Sequence, residues 1–259
     1  MAKKHGDVVV ISDTQVTPMS PTDHLHALSR YIWKHRPACI VHIGDHWDFE
    51  SISYYASPME KEGRRLADDL RVGEETLNIF KSYLDERNEH AKKHKKRTYH
   101  PEMHFLMGNH EYRLDRMIES KPELDGLIDL RGMIQSAGFD VHEYLYPYWR
   151  DGVAFNHYLA SAFTGRAIAG SIENKLNKTP HSFVVGHQQL YQYARRQNVE
   201  GRPHFGVVAG SFYIHDEKYR GAGNTEIRGF PHLKAFTNRF GFRDFDCDFV
   251  SLERLLENY

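Results

Sequence analysis

Val8-Val9-Val10-Ile11-Ser12-Asp13, followed by Ala38-Cys39-Ile40-Val41-His42-Ile43-Gly44, decides the fold of this 259-residue chain. Each is a short run rich in β-branched side chains, which suit a pleated sheet, and each closes in a polar loop. Between them, Asp23 to His35 carries Leu25, Leu28 and Ile32 at helical spacing. Strand, helix and strand make a βαβ unit, so the two strands run parallel. The loops after parallel strands gather on one edge of the sheet, and a site is expected there.

Outward from that unit, Lys61 to Lys96 predicts a long charged helix whose apolar stripe is Leu66, Leu70, Leu77, Phe80 and Leu84. Met103–Met107 returns as strand, helices are expected over Arg113–Ser120 and Leu124–Ala137, and Phe139–Leu145 reads as strand. Then the pattern changes. Trp149-Arg150-Asp151-Gly152-Val153 holds the Asp-Gly signal of a hairpin and leads into Val153–His157. A helix near Arg166–Leu176, a strand Ser182–Gly186 and a hairpin-like pair, Tyr191–Arg195 with Phe205–Gly210, follow. The rest reads as a turn-rich loop from Lys218 to Gly229, a strand near Phe245–Val250 and a short helix to Tyr259. No repeat or low-complexity linker interrupts the chain, so one α/β domain over residues 1–259 is expected.

The balance of 34 Lys+Arg against 35 Asp+Glu argues neither for nor against nucleic acid. Cys39 and Cys247 lie in apolar strand-like segments and read as buried free thiols of a reducing compartment. No apolar stretch approaches the roughly 20 residues of a membrane span, so no membrane partner is expected and a cytoplasmic location is the default. The unusual number is 18 histidines. His35, His90 and His94 read as solvated residues of charged helices; the informative ones follow apolar runs.

Taken in order, the strand ends read Asp13-Thr14-Gln15, Gly44-Asp45-His46-Trp47-Asp48, Gly108-Asn109-His110-Glu111, Asn156-His157 and Gly186-His187-Gln188-Gln189. Oxygen and imidazole donors stand at every one. In the third block, Asn offers a carbonyl oxygen to a hard divalent cation, His can donate a proton near pH 7, and Gly lets the chain turn sharply off a strand. Each block has a plainer reading when taken alone: Asp13 as a helix cap, His157 as a satisfied half-buried imidazole. One shared site accounts for all five.

These blocks resemble the calcineurin-like metallophosphoesterase superfamily. Its signature is Asp-x-His, Gly-Asp-x-x-Asp, Gly-Asn-His-Asp/Glu, a lone His and Gly-His-x-His in that order. The resemblance spans about residues 7 to 212. It implies a four-layer αββα sandwich of two mixed β-sheets flanked by helices, and a site for two divalent metal ions. Two cations about 3.5–4 Å apart clamp a phosphoryl oxygen and lower the pKa of a bridging water. Carried over block by block, Asp45 bridges both ions, and Asn109, His157 and His187 complete one site. Asp13, Gln15 and Gln189 fall where the ligands of the other belong. His110 is implied to protonate the leaving alkoxide or stabilise phosphoryl charge, with Asp48 orienting its ring. His142 competes with His157 for the place of the lone His.

The sequence departs from the family at Gln15 and Gln189, where the signature has histidines. An amide oxygen is a harder, weaker donor than imidazole, so Mn²⁺ is the favoured ion, with Mg²⁺, Zn²⁺ or Fe as alternatives. His24, His26, His46 and His215 are the imidazoles left to substitute. Asp48-Phe49-Glu50 stands where the family's protein phosphatases carry Asp-Arg-Gly, which argues against a close relative of those enzymes. Arg113 and His46 are candidates to face substrate. The basic run Lys92–Arg97, and Arg195-Arg196 with Arg202, are candidate nucleic-acid contacts, with a solvated helix end the alternative for the first. The expected activity is a metal-dependent hydrolase of phosphodiesters, nucleotide or nucleic acid, or of small phosphomonoesters. The alternatives are a catalytically weak or inactive metal-containing binding module and a protein phosphatase.

Overall fold

The computed structural model describes residues 5–54, 56–216 and 226–259. In chain order its elements are β1 (Val8–Ile11), α1 (Asp23–His35), β2 (Cys39–His42), α2 (Pro58–Lys61), α3 (Leu66–Lys93), β3 (Glu102–Leu106), α4 (Asn109–Ser120), α5 (Leu130–Ser136) and β4 (Asp140–His142). They continue with β5 (Tyr148–Arg150), β6 (Val153–Asn156), α6 (Ile172–Lys178), β7 (Ser182–Val185), β8 (Tyr191–Gln197), β9 (Pro203–Ala209), β10 (Gly229–Thr237), β11 (Arg243–Ser251) and α7 (Leu252–Asn258).

Two mixed sheets result. One has the order β11-β10-β1-β2-β3-β4, with β1 to β4 parallel; the other has the order β5-β6-β7-β9-β8, with β6, β7 and β9 parallel. Alternation along the strands sorts the apolar side chains into three layers. Val9, Ile11, Ile40 and Phe105 face Leu28 and Ile32 of α1 and Leu77 and Phe80 of α3. On the opposite face of the same sheet, Val8, Val10 and Val41 meet Phe155, Val184 and Val207 of the second sheet. Ala154, Phe183 and Val185 then pack outward on Ile172 and Leu176 of α6. Three apolar layers separate four structural ones, helices, sheet, sheet and helix, so the αββα sandwich is the architecture.

Several boundaries differ from the sequence reading. The largest difference is β10, a nine-residue strand with no counterpart in the sequence reading. Gly229, Pro231, His232 and Lys234 disguise its pattern. It pairs along its whole length with β11, but with β1 only at Val8↔Leu233 and Val9↔His232, and that second pairing stops where Pro231 lacks an N–H to give. The expected loop Lys218–Gly229 lies mostly outside the described residues. The long helix expected over Lys61–Lys96 shortens to α3, Leu66–Lys93, and a separate turn of helix, α2, capped by Ser57, precedes it. α6 starts only after Ser171, whose side chain accepts from Asn174 N, rather than at Arg166. The expected Leu124–Ala137 helix shortens to α5, with a 3₁₀ turn at Pro122–Leu124 before it. Cys39 is buried and Cys247 partly buried, and neither forms a disulfide. Among the described residues no helix is long and apolar enough to cross a membrane.

Candidate metal centre and active site

The carboxyl ends of β1, β2, β3, β6, β7 and β9 meet on one rim of the sandwich, bonded across the two sheets. His157 Nδ1 donates to Ile43 O at 2.9 Å, His187 N to Asp13 Oδ2 at 3.1 Å, and Phe212 N to Asp13 O at 3.0 Å. The approach is tight enough to exclude side chains. A Cβ on Gly44, whose φ is +95°, would lie 2.5 Å from Gly108 N, and one on Gly108 would strike the Asp45 carboxylate.

Asp45 lies at the centre, 2% exposed. Its Oδ1 accepts from His110 N at 2.8 Å, and its Oδ2 lies 3.3 Å from His157 Nε2 and 3.6 Å from His110 Nε2. Asn109 Oδ1 is 2.8 Å from His157 Nε2. Ligand atoms of Asp45, His157 and His187 lie within 4.8 Å of one another, close enough to share one ion. Because His157 Nδ1–H is committed to Ile43 O, the ring is oriented with Nε2 facing Asp45 and Asn109.

Electrostatics mark the same cluster. Burial opposes charge on Asp45, yet His110 and His157 outweigh it and hold the carboxyl well below the usual range. Burial likewise disfavours His157 imidazolium, but the Asp45 charge prevails and raises it to about 9. His187 is pushed down to about 4 by burial and then by His157. Asp13 is raised to about 6, by burial first and by Asp45 next. Its Oδ2 is bonded to Ser12 Oγ and His187 N, while its Oδ1 is buried with no hydrogen-bond partner. A buried, unpaired carboxylate oxygen beside a second carboxylate is costly unless a cation accompanies it. The donors of Asp45, His157 and His187, with Asn109 Oδ1 beside them, fit a divalent ion, and the Asp13 oxygen without a partner lies beside that group.

Gln15 and Gln189 are also on this rim, and they bond each other. Gln189 Nε2 donates to Gln15 Oε1 at 3.0 Å, and Tyr213 Oη donates to Gln189 Oε1 at 3.2 Å. Tyr213 was missed by the sequence reading, although it too follows a strand end, that of β9. Backbone strain concentrates here as well. Of ten non-glycine residues with positive φ among those described, five are expected ligands: Asp13, Gln15, Asp45, His187 and Gln189.

His110 stands beside the cluster at the first turn of α4. Its Nδ1 is 3.0 Å from Asp48 Oδ1 and 3.1 Å from Asp48 O, and its Nε2 is 2.6 Å from Arg113 Nη2. Burial lowers its pKa, but Asp45 and the hydrogen-bonded Asp48 outweigh that and raise it. Arg113 also donates to Asp48 O at 2.8 Å. Glu111 carries a part that the sequence reading left unassigned. Fully buried, it accepts from Asp45 N (2.8 Å), His46 N (2.7 Å), Trp47 N (3.2 Å) and Gly108 N (2.8 Å), tying two ligand loops together.

Other candidates lie elsewhere. His46 turns inward, its Nδ1 2.7 Å from Thr14 Oγ1 and its Nε2 3.0 Å from Gly73 O, so it faces neither ion nor substrate. His142 pairs with His104 at 3.2 Å, away from the cluster. His24 packs on Phe212, His26 lies beside α3, and His215 stacks on Tyr213. The run Lys92–Arg97 ends α3 beside Arg36 and the start of β3, at the opposite end of the sheet from the rim. β8 runs antiparallel to β9, which carries Arg195 and Arg196 away from the rim. There Arg195 binds Asp244 and Phe245 O, Arg196 binds Asn177, and Arg202 binds Glu200. The basic groups proposed from sequence as nucleic-acid contacts therefore serve other partners or lie at the far end.

With these strand-end groups on one rim, the chain resembles the calcineurin-like metallophosphoesterases. Similar solved structures include Yfce, a phosphoesterase from E. coli, at 12% identity and TM-score 0.39 over 88% of each chain. A predicted phosphoesterase from Streptococcus pneumoniae TIGR4 is 9% identical, with a TM-score of 0.36 over 97% of this chain and 92% of that one. The Pseudomonas putida nuclease MPE is 11% identical, with a TM-score of 0.36 over 88% and 84%. No family model and no curated protein matches the sequence.

Proposed function

We propose that the chain is a metal-dependent phosphoester hydrolase acting on a phosphodiester, nucleotide or nucleic acid, or on a small phosphomonoester. The observation that carries this reading is the Asp13 Oδ1, buried with no hydrogen-bond partner beside the Asp45–His157–His187 cluster, with His110 next to it. Asp45, Asn109, His157 and His187 would hold one divalent ion, and Asp45, Asp13 and Gln15 the other. Gln189 either completes that second set or holds Gln15 in place. The carbonyl oxygen of Gln15 has a second lone pair beyond the one facing Gln189, so it can accept the amide N–H and still face a cation. Carboxylate and amide oxygens are hard donors, which favours Mn²⁺ over Zn²⁺ at that position.

Bound divalent ions supply Lewis-acid polarisation of the phosphoryl group and a more acidic water. The chain's own residues supply the rest. Asp48 accepts from His110 Nδ1–H, which fixes the imidazole; Nε2 accepts from Arg113 in this structure and delivers a proton to the departing alkoxide only once Arg113 has turned from it to the phosphate and the ring has taken up a second proton from solvent. Arg113, now on that Nε2, is the cation nearest to an incoming phosphate.

A second reading, a binding module holding one ion, is favoured by the Gln15–Gln189 amide pair, in which each carbonyl oxygen already has a donor without a cation. The two separate in a Mn²⁺-supplemented screen of monoesters, diesters and single- and double-stranded nucleic acid, with His110→Ala as the blank. Hydrolysis lost in the blank supports the enzyme. One tight metal site, no second site and no hydrolysis of any ester would overturn it.

A further inference from the structure

A cavity of about 810 Å³ opens directly beside the metal cluster, with Asn109 and Arg113 in its wall. That volume lies within the roughly 300–1,000 Å³ of small-molecule sites. Its composition is unusual, because five of its lining residues are tyrosines. Tyr112 stacks on Tyr144 with centroids 4.6 Å apart, Tyr144 Oη meets Tyr158 Oη at 2.6 Å, and the Tyr158 ring lies 5.1 Å from that of His187. An aromatic chain thus leads from the cavity to a candidate metal ligand. At the mouth, Tyr54 and Tyr146 are 61% and 71% exposed, and the Arg116 guanidinium lies 5.0 Å from the Tyr54 ring centroid.

The charge of this wall is cationic. Its two carboxylates, Asp115 and Glu143, are both bonded through all four oxygens to Arg131. That leaves Arg116 facing the cavity without a carboxylate of the wall against it, with Arg113 shared between the cavity and Asp48, whose Oδ1 is 4.0 Å away, and it leaves no free carboxylate to bind sugar hydroxyls among the described lining residues. Flat aromatic faces and guanidinium planes beside a phosphate position are the groups that hold an unstacked base.

We propose that this cavity is a nucleobase subsite, so that the substrate is a nucleotide or single-stranded nucleic-acid ester whose base lies among the tyrosines while its phosphate lies at Asp45 and Asn109. The proposal rests on the phosphoesterase reading and narrows it. A base-paired duplex keeps its bases stacked and cannot fill the cavity without flipping one out.

The test is a fluorescence titration with 1,N⁶-ethenoadenosine 5′-monophosphate in the His110→Ala background with Mg²⁺, with ribose 5-phosphate, AMP and O-phosphotyrosine as competitors. AMP is expected to displace the probe at least tenfold better than ribose 5-phosphate. Tyr54→Ala/Tyr146→Ala is expected to weaken the probe by roughly 5- to 150-fold, the range for loss of base stacking. Tyr54→Phe/Tyr146→Phe should restore it, since the ring and not the hydroxyl is used. Both positions are exposed, so the variants fold. Equal competition by ribose 5-phosphate, an unchanged alanine variant, or stronger displacement by O-phosphotyrosine than by AMP overturns the subsite. Hydrolysis of methyl p-nitrophenyl phosphate, a base-free diester, is read in parallel on the parent protein with Mn²⁺. Turnover there without base preference in the titration sinks the subsite alone, whereas base preference without turnover of any ester sinks the phosphoesterase reading.

Discussion

Glu111→Gln is the substitution that most directly probes how the rim is held together. The carboxylate is fully buried and receives four backbone N–H groups, two on each oxygen: Asp45 and Gly108 on Oε2, His46 and Trp47 on Oε1. An amide keeps one acceptor and turns the other into a donor, so two N–H groups lose their partner and confront an NH₂. Hydrogen bonds to charged groups contribute about 1.5–3 kcal/mol each, so two of them amount to about 3–6 kcal/mol. Part of that is returned. Burial, and next the Asp45 charge, push the Glu111 pKa up, which means the carboxylate is itself destabilised where it lies. Removing its charge relieves that, and the net expectation is a loss of about 2–4 kcal/mol.

The assay is urea unfolding, with the exposed Glu75→Gln as a control expected to stay within about 0.5 kcal/mol. Mn²⁺ binding to the same proteins gives a second readout. The Asp45 loop and the Gly108 turn are joined through Glu111, so the variant should bind Mn²⁺ more weakly even where it remains folded. A Glu111→Gln protein within 1 kcal/mol of its parent by urea, with unchanged Mn²⁺ affinity, would refute the reasoning. It would mean that the two loops are placed by the sheets alone.

Three further outcomes are expected. His110→Ala should lower turnover by about 10²–10⁴-fold while Mn²⁺ affinity stays near that of the parent, because the ring is placed for proton transfer rather than coordination; calorimetric titration beside a kinetic assay checks both halves. Gly108→Ala drives a methyl into the Asp45 carboxylate, so weakened Mn²⁺ binding and a stability loss of about 1–3 kcal/mol are expected from metal titration and urea unfolding. Acid should unfold the chain through buried histidines outside the candidate ligand set. His24 and His232 are both lowered to about 4, in each case chiefly by burial. Below pH 6.5 the unfolded chain takes up protons that the folded chain refuses, so stability falls as pH drops from about 6.5 to about 4, by up to about 3 kcal/mol per histidine. Urea midpoints between pH 7.5 and 4.5 measure that slope, and His232→Gln should flatten it.

The parallel β1–α1–β2 unit was legible because its strands are uninterrupted β-branched runs and its helix has a clean apolar stripe. The rim residues were legible for a related reason: a polar block directly after such a run is a strand end, and parallel strands bring their ends together. β10 was illegible because Gly, Pro, His and Lys break the alternation that marks a strand, and its partner β11 supplies the pairing that propensity does not. Glu111 was visible as part of a tetrad, but its role was not, since its partners are backbone N–H groups of another loop. The positions of Arg195 and Lys92–Arg97 relative to the rim were not legible. Sequence shows that the charges exist, whereas only the antiparallel run of β8 and the far terminus of α3 show that they leave the rim.

The Gln15–Gln189 pair and the strained backbone around it bear on one another. Both residues have positive φ, as do Asp13, Asp45 and His187, and such conformations cost of order 1–3 kcal/mol each where the surroundings impose them. A rim retained only for stability would relax that strain or pair the Asp13 oxygen that has no partner. Instead the chain keeps both and closes the amides on each other, with Tyr213 fixing the carbonyl of Gln189. That arrangement holds the Gln15 oxygen in place without an ion, so in the proposed two-ion reading a weakly donating ligand would meet its cation without first being ordered. An amide oxygen binds a divalent ion less tightly than imidazole, and such preorganisation would offset part of that difference.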